Sequence, residues 1–363
     1  MKTPLEISIT QLAFGGEGLS ELNGKKVFVP YAVPGDVLKI KIIEDKKDYA
    51  RAELLEVVKA SSLRVKVECE YFYKCGGCQW QHIRYADQLR YKHQLLEQAL
   101  QRIAKIETPR ILAPLASPKE WNYRNRIRLQ VTKQGRLGFY KPHSHEVLPI
   151  RQCLIAEDAI NEQIPQVKTS AHEIELSSFP GKNQTFANQK EEHFSQVNSL
   201  QNEVLKERVK EYLNLNPKIN LLELYAGEGN FSFDLASQVK QVTAVELGEI
   251  AVQKAQEKIK KEHRRNIEFI QSSSFRALDQ FKKAERVFDR VLLDPPRKGA
   301  VECLEVLATL NIPEMIYVSC DPATLARDVK KLIDLGYQHD FSQVLDMFPQ
   351  TYHIESITHL VKI

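Results

Sequence analysis

The sequence predicts an α/β protein whose C-terminal part is a doubly wound, mostly parallel sheet, preceded by a small β-barrel and a basic segment with clustered cysteines. After residue 218 apolar strands alternate with helices, the rhythm of parallel strand–helix–strand units. Residues 5–58 read instead as short strands broken by Gly and Pro turns, the pattern of a barrel. The charge is also segmental: residues 1–60 carry 9 basic and 9 acidic groups, 61–151 carry 17 and 7, and 152–363 carry 25 and 31. The net charge of +4 over 363 residues hides that asymmetry. A chain of this length supports more than one core and is too long for a single small binding module. We divide it into segments 1–60, 61–190 and 191–363.

In the first segment Leu5-Glu6-Ile7-Ser8-Ile9-Thr10 alternates, Gly15-Gly16-Glu17-Gly18 turns, and Lys26-Val27-Phe28-Val29 is a second strand. The Pro34-Gly35-Asp36 turn leads into residues 37–43, which alternate around lysines, and residues 50–58 supply the strand that closes the barrel.

The middle segment opens with Cys69, Cys75 and Cys78, with Cys153 further on. Six cysteines are too few for a disulfide scaffold, so the cluster points to metal. By count four thiolates suit Zn²⁺ and an iron–sulfur cluster equally. Zinc favours paired C-x2-C units and only one is present, so a [4Fe–4S] cluster is expected, with zinc the alternative. Residues 85–103 have the leucine spacing of a long basic helix. Arg124, Arg126 and Arg128 recur every second residue, which puts three arginines on one face of a strand as a comb for phosphates. Residues 171–195 are mixed strand and loop, and 196–213 are helical in pattern.

In the last segment Tyr225-Ala226-Gly227-Glu228-Gly229-Asn230 ends a strand and opens a helix, so the glycines admit a ligand to the carboxyl edge of the sheet. Glu246 ends the next strand, where it accepts hydrogen bonds from ribose hydroxyls. Together they indicate a nucleoside-containing cofactor. Asp294-Pro295-Pro296-Arg297-Lys298-Gly299 ends another strand at the same edge. Ser319-Cys320-Asp321-Pro322 starts a helix, with Asp321 as N-cap and Pro322 at the first position. A helix N-terminus lowers the pKa of Cys320 toward the nucleophilic thiolate, and Asp321 opposes it. Near the end His353 and Glu355 lie two apart on an extended segment. Cys303 reads as core. No apolar run reaches the roughly 18 to 20 residues of a membrane span, and the N-terminal residues lack a signal-peptide pattern. A cytoplasmic protein is expected.

Taken together, Phe194-Ser195-Gln196-Val197-Asn198, Tyr225–Asn230, Asp294–Gly299, Tyr317-Val318-Ser319-Cys320-Asp321-Pro322 and Asp346-Met347-Phe348-Pro349-Gln350-Thr351-Tyr352-His353-Ile354-Glu355 resemble, in order and spacing, the RNA uracil-5 methyltransferases. The first 58 residues resemble the TRAM domain, an OB-like RNA-binding barrel, and the cysteines resemble that family's iron–sulfur site. The resemblance implies a C-terminal Rossmann-like S-adenosylmethionine-dependent methyltransferase fold, an OB-like barrel before it, and a small α+β central domain with a metal cluster. It implies contacts to S-adenosylmethionine or the target base from Gln196, Tyr225, Asn230, Glu246, Ser273 and Asp294. It also implies Cys320 as nucleophile adding to uracil C6 and Glu355 as the base that removes the C5 proton, and Arg297 is the candidate donor that stabilises the enolate. The cluster, held by Cys69, Cys75, Cys78 and Cys153, would be a structural clamp, since methyl transfer moves no electrons. RNA is the partner, with 23S ribosomal RNA favoured, the T-loop uridine of tRNA the alternative, and no membrane. A monomer is expected. A non-catalytic RNA-binding or ribosome-assembly factor is the reading from another class, and an intact Cys320 and Glu355 speak against it. A methyltransferase acting on an exocyclic amine could use the Asp-Pro-Pro turn but has no need of the thiol.

Overall fold

The computed structural model describes residues 4–179, 182–187 and 196–363. Phe194 and Ser195 lie outside the described residues. The chain forms two units, one of Met1–Leu95, Ser117–Gln189 and Phe348–His353, the other of Leu96–Ala116, Lys190–Met347 and Ile354–Ile363. In chain order the elements begin with strands β1 (Leu5–Ser8), β2 (Gln11–Leu12), β3 (Gly18–Leu22), β4 (Lys25–Val29), β5 (Val37–Asp45) and β6 (Tyr49–Lys59). Helix α1 (Tyr85–Arg102), β7 (Ile111–Leu115), β8 (Arg126–Val131), β9 (Leu137–Tyr140), β10 (Val147–Pro149), α2 (Asp158–Gln163), β11 (Glu173–Phe179) and β12 (Lys182–Ala187) follow. Then come α3 (Ser199–Leu213), β13 (Asn220–Leu224), α4 (Ser232–Leu235), β14 (Gln241–Glu246), α5 (Glu249–Lys261), β15 (Ile267–Gln271), α6 (Ser274–Lys283) and β16 (Arg290–Leu293). The last elements are α7 (Leu304–Thr309), β17 (Glu314–Ser319), α8 (Pro322–Asp334), β18 (Tyr337–Leu345) and β19 (Glu355–Lys362).

In the first unit six strands follow the order β1-β5-β6-β4-β3-β2. β1 and β2 are one strand interrupted at residues 9–10. Its first half pairs with β5 (Leu5↔Ile40 to Ser8↔Val37) and its second with β3 (Gln11↔Leu19). A strand shared by both edges closes the sheet into the expected barrel, and register shifts along β5 and β6 supply the curvature. Val29, Leu38 and Ile40 fill its centre. Asp36 does more than turn the chain. Fully buried, its carboxylate accepts from Val33 N (2.6 Å), Ser61 N (2.9 Å), and Arg64 Nε and Nη2 (both 2.8 Å).

The same unit holds an antiparallel sheet of order β10-β9-β8-β11-β12. Its arginines do not form the expected comb. Arg128 stands opposite Glu175 in the register, and Arg128 meets Glu173 and Glu175 at 3.6 Å while Arg126, itself buried, lies 4.0 Å from Glu175. Alternation put Arg126 and Arg128 on β8 as read, with Arg124 just before the strand, but β11 answers these two with carboxylates that sequence distance concealed. Residues 348–353 are held in this unit by hydrogen bonds. Gln350 N donates to Gln88 Oε1, Gln88 Nε2 donates to Gln350 Oε1 (both 3.0 Å), and the buried Lys92 donates to Phe348 O (3.0 Å).

The second unit is built on one sheet, β15-β14-β13-β16-β17-β19-β18-β7. Pairing is parallel from β15 to β17, as the alternation of apolar strands and helices predicts, and antiparallel where β19 enters between β17 and β18. Asp321 caps α8 as expected, accepting from Ala323 N (3.0 Å) and Thr324 N (2.9 Å) with Pro322 at the first position. Among the described residues no helix is long and apolar enough to cross a membrane.

Removing the Asp36 carboxylate leaves Arg64 and two backbone donors without their shared acceptor. Asp36→Ala is expected to lower stability by about 3 kcal/mol, read as an earlier denaturant midpoint, whereas a midpoint equal to wild type would deny Asp36 this role.

Candidate active site

Strand ends of the second unit bring the sequence motifs to one edge. Leu224 of β13 pairs with Leu293 of β16, and Leu293 with Tyr317 of β17, so Tyr225 and Asp294 leave the sheet side by side. Ser319 and Ser356 are the last pair of β17 and β19, and Ser356 Oγ donates to Ser319 O at 3.2 Å. One step beyond, Cys320 and Glu355 stand opposite one another. The nucleophile and the base suggested by the sequence therefore meet, with Asp294 and Arg297 acting on both.

The electrostatics of the thiol differ from the expectation. Burial pushes Cys320 up to about 12, the Glu355 and Asp294 carboxyls add to the rise, Arg297 opposes them, and Asp321 adds a smaller push. Loss of water and two facing carboxyls outweigh the helix terminus. Burial likewise raises Glu355 well above the ordinary carboxyl range, reinforced by Asp294 and opposed by Arg297. Part of Asp294 reaches solvent, but protein crowds its carboxyl on most sides and raises it to about 7.

The loop that carries Asp294 and Arg297 is anchored from α8. Buried Asp328 accepts from Ala300 N (2.6 Å), Tyr317 Oη (2.7 Å) and Arg327 Nε (2.8 Å), while Arg327 Nη2 donates to Lys298 O (2.8 Å). Gly299, at φ +78°, passes so close that a Cβ would lie 2.4 Å from Asp328 Oδ2. A side chain there is excluded by both backbone and contact.

At the glycine loop Tyr225, Gly227 and Gly229 all have positive φ, and a Cβ on Gly227 would meet open space. Glu246 holds this loop: Oε2 accepts from Gly227 N (2.9 Å) and Oε1 from Gly248 N (2.7 Å). Asn230 forms a reciprocal amide pair with Asn202 of α3 (2.9 and 3.0 Å). Tyr225 Oη lies 3.5 Å from the sulfur of buried Cys303. Ser273 caps α6, accepting from Arg276 N at 3.4 Å. Gln196 is buried.

In the first unit Cys69, Cys75, Cys78 and Cys153 line one small cavity of about 50 Å³, and none is in a disulfide. Burial, together with the neighbouring thiols, pushes Cys75 up to about 11 and raises Cys78 and Cys153. Arg124, the remaining arginine of the expected comb, is in the cavity wall. Its Nε and the Oε1 of buried Gln81 have no hydrogen-bond partner among the described residues. As placed, no group of three or more His, Cys, Asp or Glu among the described residues is arranged to hold a metal ion.

The model of one protein family, tRNA (Uracil-5-)-methyltransferase, matches residues 175–363. The chain belongs to this family of RNA uracil-5-methyltransferases. The TRAM domain model matches residues 3–55. Across 96% of this chain and 94% of its own, the 23S rRNA (uracil(1939)-C(5))-methyltransferase RlmD of Haemophilus influenzae is 32% identical. An uncharacterized RNA methyltransferase of Aquifex aeolicus is 31% identical over 98% of both chains. Among solved structures, the Pyrococcus abyssi tRNA (uracil-54, C5)-methyltransferase in complex with S-adenosyl-L-homocysteine aligns with a TM-score of 0.73 at 25% identity, covering 98% of this chain and 99% of that one.

Beyond the motifs that suggested the family, the site contains residues that sequence reading missed. Glu223, fully buried in β13, has its pKa raised to about 8 by burial, with Asp294 and Glu246 adding to the rise and Ser232, which hydrogen-bonds it, opposing. A lone acid in the run Leu221-Leu222-Glu223-Leu224 was the available signal. Asp328 falls on the apolar side of α8 with Leu325, Val329 and Leu332, a misfit that flags a buried anchor.

A thiol that keeps its proton to about 12 gains thiolate about tenfold per pH unit below that value. In the free protein, iodoacetamide labelling of Cys320, followed by peptide mass spectrometry, is expected to accelerate about 100-fold from about pH 7 to about pH 9. A plateau within that range would mean that the thiolate is already stabilised.

Proposed function

We propose that this methyltransferase transfers a methyl group to C5 of a specific uridine in 23S rRNA, with Cys320 as nucleophile and Glu355 as general base. The observation that carries this reading is the register that ends β17 and β19 on the Ser319–Ser356 pair, which brings Cys320 and Glu355, the next residue on each side, near enough for the Glu355 carboxyl to act on the thiol. Ribosomal RNA is favoured because near-full-length relatives at 31–32% identity carry that name. The second reading, a tRNA uridine, draws on the Pyrococcus abyssi enzyme, which aligns over 98% of this chain.

C5 of uracil is too weak a nucleophile to take a methyl group unaided. Cys320 gives up its proton to water and its thiolate bonds to C6, moving the C5–C6 electron pair toward C5 and O4. Arg297, the cation acting on Cys320 and Glu355, stabilises the enolate. S-adenosylmethionine, which Gln196, Tyr225, Asn230, Glu246, Ser273 and Asp294 would hold, would supply an electrophilic methyl group that C5 takes up, leaving S-adenosylhomocysteine. The backbone beside Gly227 leaves room for such a ligand, and Glu246, with one donor on each oxygen, retains lone pairs for ribose hydroxyls. Ionised Glu355 then removes the C5 proton, the C6–S bond breaks, and the thiolate is regenerated. The burial that raises the pKa of Glu355 also makes its carboxylate the stronger base. A uridine stacked in folded RNA hides C6, so the target is flipped into the site. Under this reading the enzyme works as a monomer in the cytoplasm.

Cys69, Cys75, Cys78 and Cys153 are proposed to hold a [4Fe–4S] cluster, with zinc the alternative. The reading is supported by free thiols lining one cavity whose wall carries the Arg124 guanidinium, a counter-charge suited to an anionic cluster. The group would act as a structural clamp. Anaerobic reconstitution with iron and sulfide is expected to give the broad visible absorption of an iron–sulfur cluster, lost in Cys153→Ser. Zinc alone in the purified protein would select the alternative.

The deciding experiment incubates unmodified 23S rRNA and tRNA separately with labelled S-adenosylmethionine and wild-type, Cys320→Ala or Glu355→Gln protein, followed by nucleoside analysis. Wild type is expected to form 5-methyluridine in 23S rRNA, and Cys320→Ala none. Glu355→Gln is expected to turn over roughly 10²-fold more slowly or worse and to accumulate an RNA–protein adduct that survives denaturation. Label in tRNA alone would select the second reading. Activity in Cys320→Ala would exclude the thiol mechanism, and RNA binding without methylation by wild type would favour an assembly factor.

A further inference from the structure

Within the first unit, Phe14 and Tyr352 meet edge to face, with ring centroids 5.7 Å apart and planes at 87°. Phe14 is 41% exposed. Tyr352 in turn lies over His353, centroids 4.4 Å apart and planes at 37°. Single exposed apolar residues are ordinary. This pair differs because the backbone on both sides is held by buried groups.

Phe14 rides on a turn in which Ala13 N donates to Glu17 O (2.8 Å) and Gly16 N to Ala13 O (3.1 Å). Gly15 and Gly16 adopt φ +115° and +93°. The indole N–H of Trp80, a fully buried residue, donates to Gly16 O at 3.1 Å. A Cβ on Gly16 would lie 3.2 Å from the Tyr352 ring, so the turn is fitted closely to that ring. Tyr352 follows Gln350, whose carbonyl accepts from Gln79 N (3.2 Å) and Trp80 N (3.0 Å), and Pro349, whose carbonyl accepts from Tyr123 Oη (3.0 Å). Both rings thus stand on rigid supports that share Trp80.

We propose that Phe14 and Tyr352 form a preorganised stacking notch for an unpaired nucleobase of the RNA substrate, one that flanks the methylated uridine. Two rings at right angles offer a flat face for the base and a second wall for its edge. Stacking on aromatic side chains is how proteins seize single-stranded bases, and every base has a π-face to offer. Phe14 lies within the TRAM match, and Tyr352 stands three residues before Glu355 in the sequence, so the notch joins a barrel loop to the segment that leads into the proposed base. Rings already held in place lose little conformational freedom when the nucleotide docks. The inference rests on the RNA-methyltransferase reading and adds a base contact that the catalytic pair does not supply.

The test uses the full-length protein and short unmodified 23S rRNA transcripts with 2-aminopurine at each position flanking the target uridine in turn. Wild type is expected to change the 2-aminopurine fluorescence strongly at one flanking position. Phe14→Leu and Tyr352→Leu should lose that signature, bind the transcript about tenfold more weakly, keep the salt slope of binding unchanged, and bind S-adenosylmethionine as wild type does. Phe14→Trp and Tyr352→Phe should retain the fluorescence change. Removing the responsive base from the RNA should weaken wild type to the level of the leucine variants and leave those variants unaffected. Leucine variants that bind as tightly as wild type, or a loss that follows the salt slope, would overturn the notch while leaving methylation intact. Failure of wild type to methylate either RNA would instead remove the reading on which the notch rests.

Discussion

The antiparallel pairing of β19 with β17 is the constraint on which the candidate site depends. A strand slipped by two residues would carry Glu355 roughly 7 Å from its place opposite Cys320, and a slip by one would turn its side chain to the other face. Both faces of β19 are buried over residues 355–360, so apolar alternation cannot set the register. Buried polar contacts set it instead. Ser356 Oγ reaches Ser319 O on the β17 side, and on the β18 side Ser342 Oγ meets Thr358 Oγ1 at 2.8 Å. Each would be left unsatisfied in the interior by a shifted pairing, which makes the wrong registers costly.

Around that pairing the protein concentrates carboxyls away from water. Glu223, Asp294 and Glu355 are all pushed upward by burial, and the thiol beside them rises as well. Such a site is arranged for a positively charged guest. An electropositive methyl donor and a cationic side chain such as Arg297 relieve the crowding, so the environment that holds the resting thiol protonated is also one that a cation can reverse. Asp328 contributes at a distance by fixing the turn on which Arg297 is carried.

Much of this was legible in the sequence because it is local. The strand–helix rhythm after residue 218 and the Asp321 cap each depend on neighbours within a few residues, and each is present, whereas the strand at Tyr49–Lys59 is present but lies mid-sheet, the barrel being closed by β1 and β2. The Cys320 and Glu355 motifs were legible as candidate chemistry before the strand register that sets them opposite one another was visible. What escaped is long-range. Glu175 neutralises arginines far from it in sequence, and Asp36 gathers donors from residues 33, 61 and 64. The direction of the Cys320 shift also escaped, since a helix N-terminus is local whereas burial and facing carboxyls come from other strands.

The placement of β19 has a consequence for how the molecule is made. This strand follows every other strand in the sequence yet lies inside the sheet, between β17 and β18. During synthesis from the N-terminus, β17 and β18 emerge before the strand that joins them, and a polypeptide stopped short of β19 has two unpaired strand flanks and half of the candidate site. Assembly of the candidate site therefore waits until β19 has been made. A nascent chain cannot present Cys320 and Glu355 together before β19 has emerged.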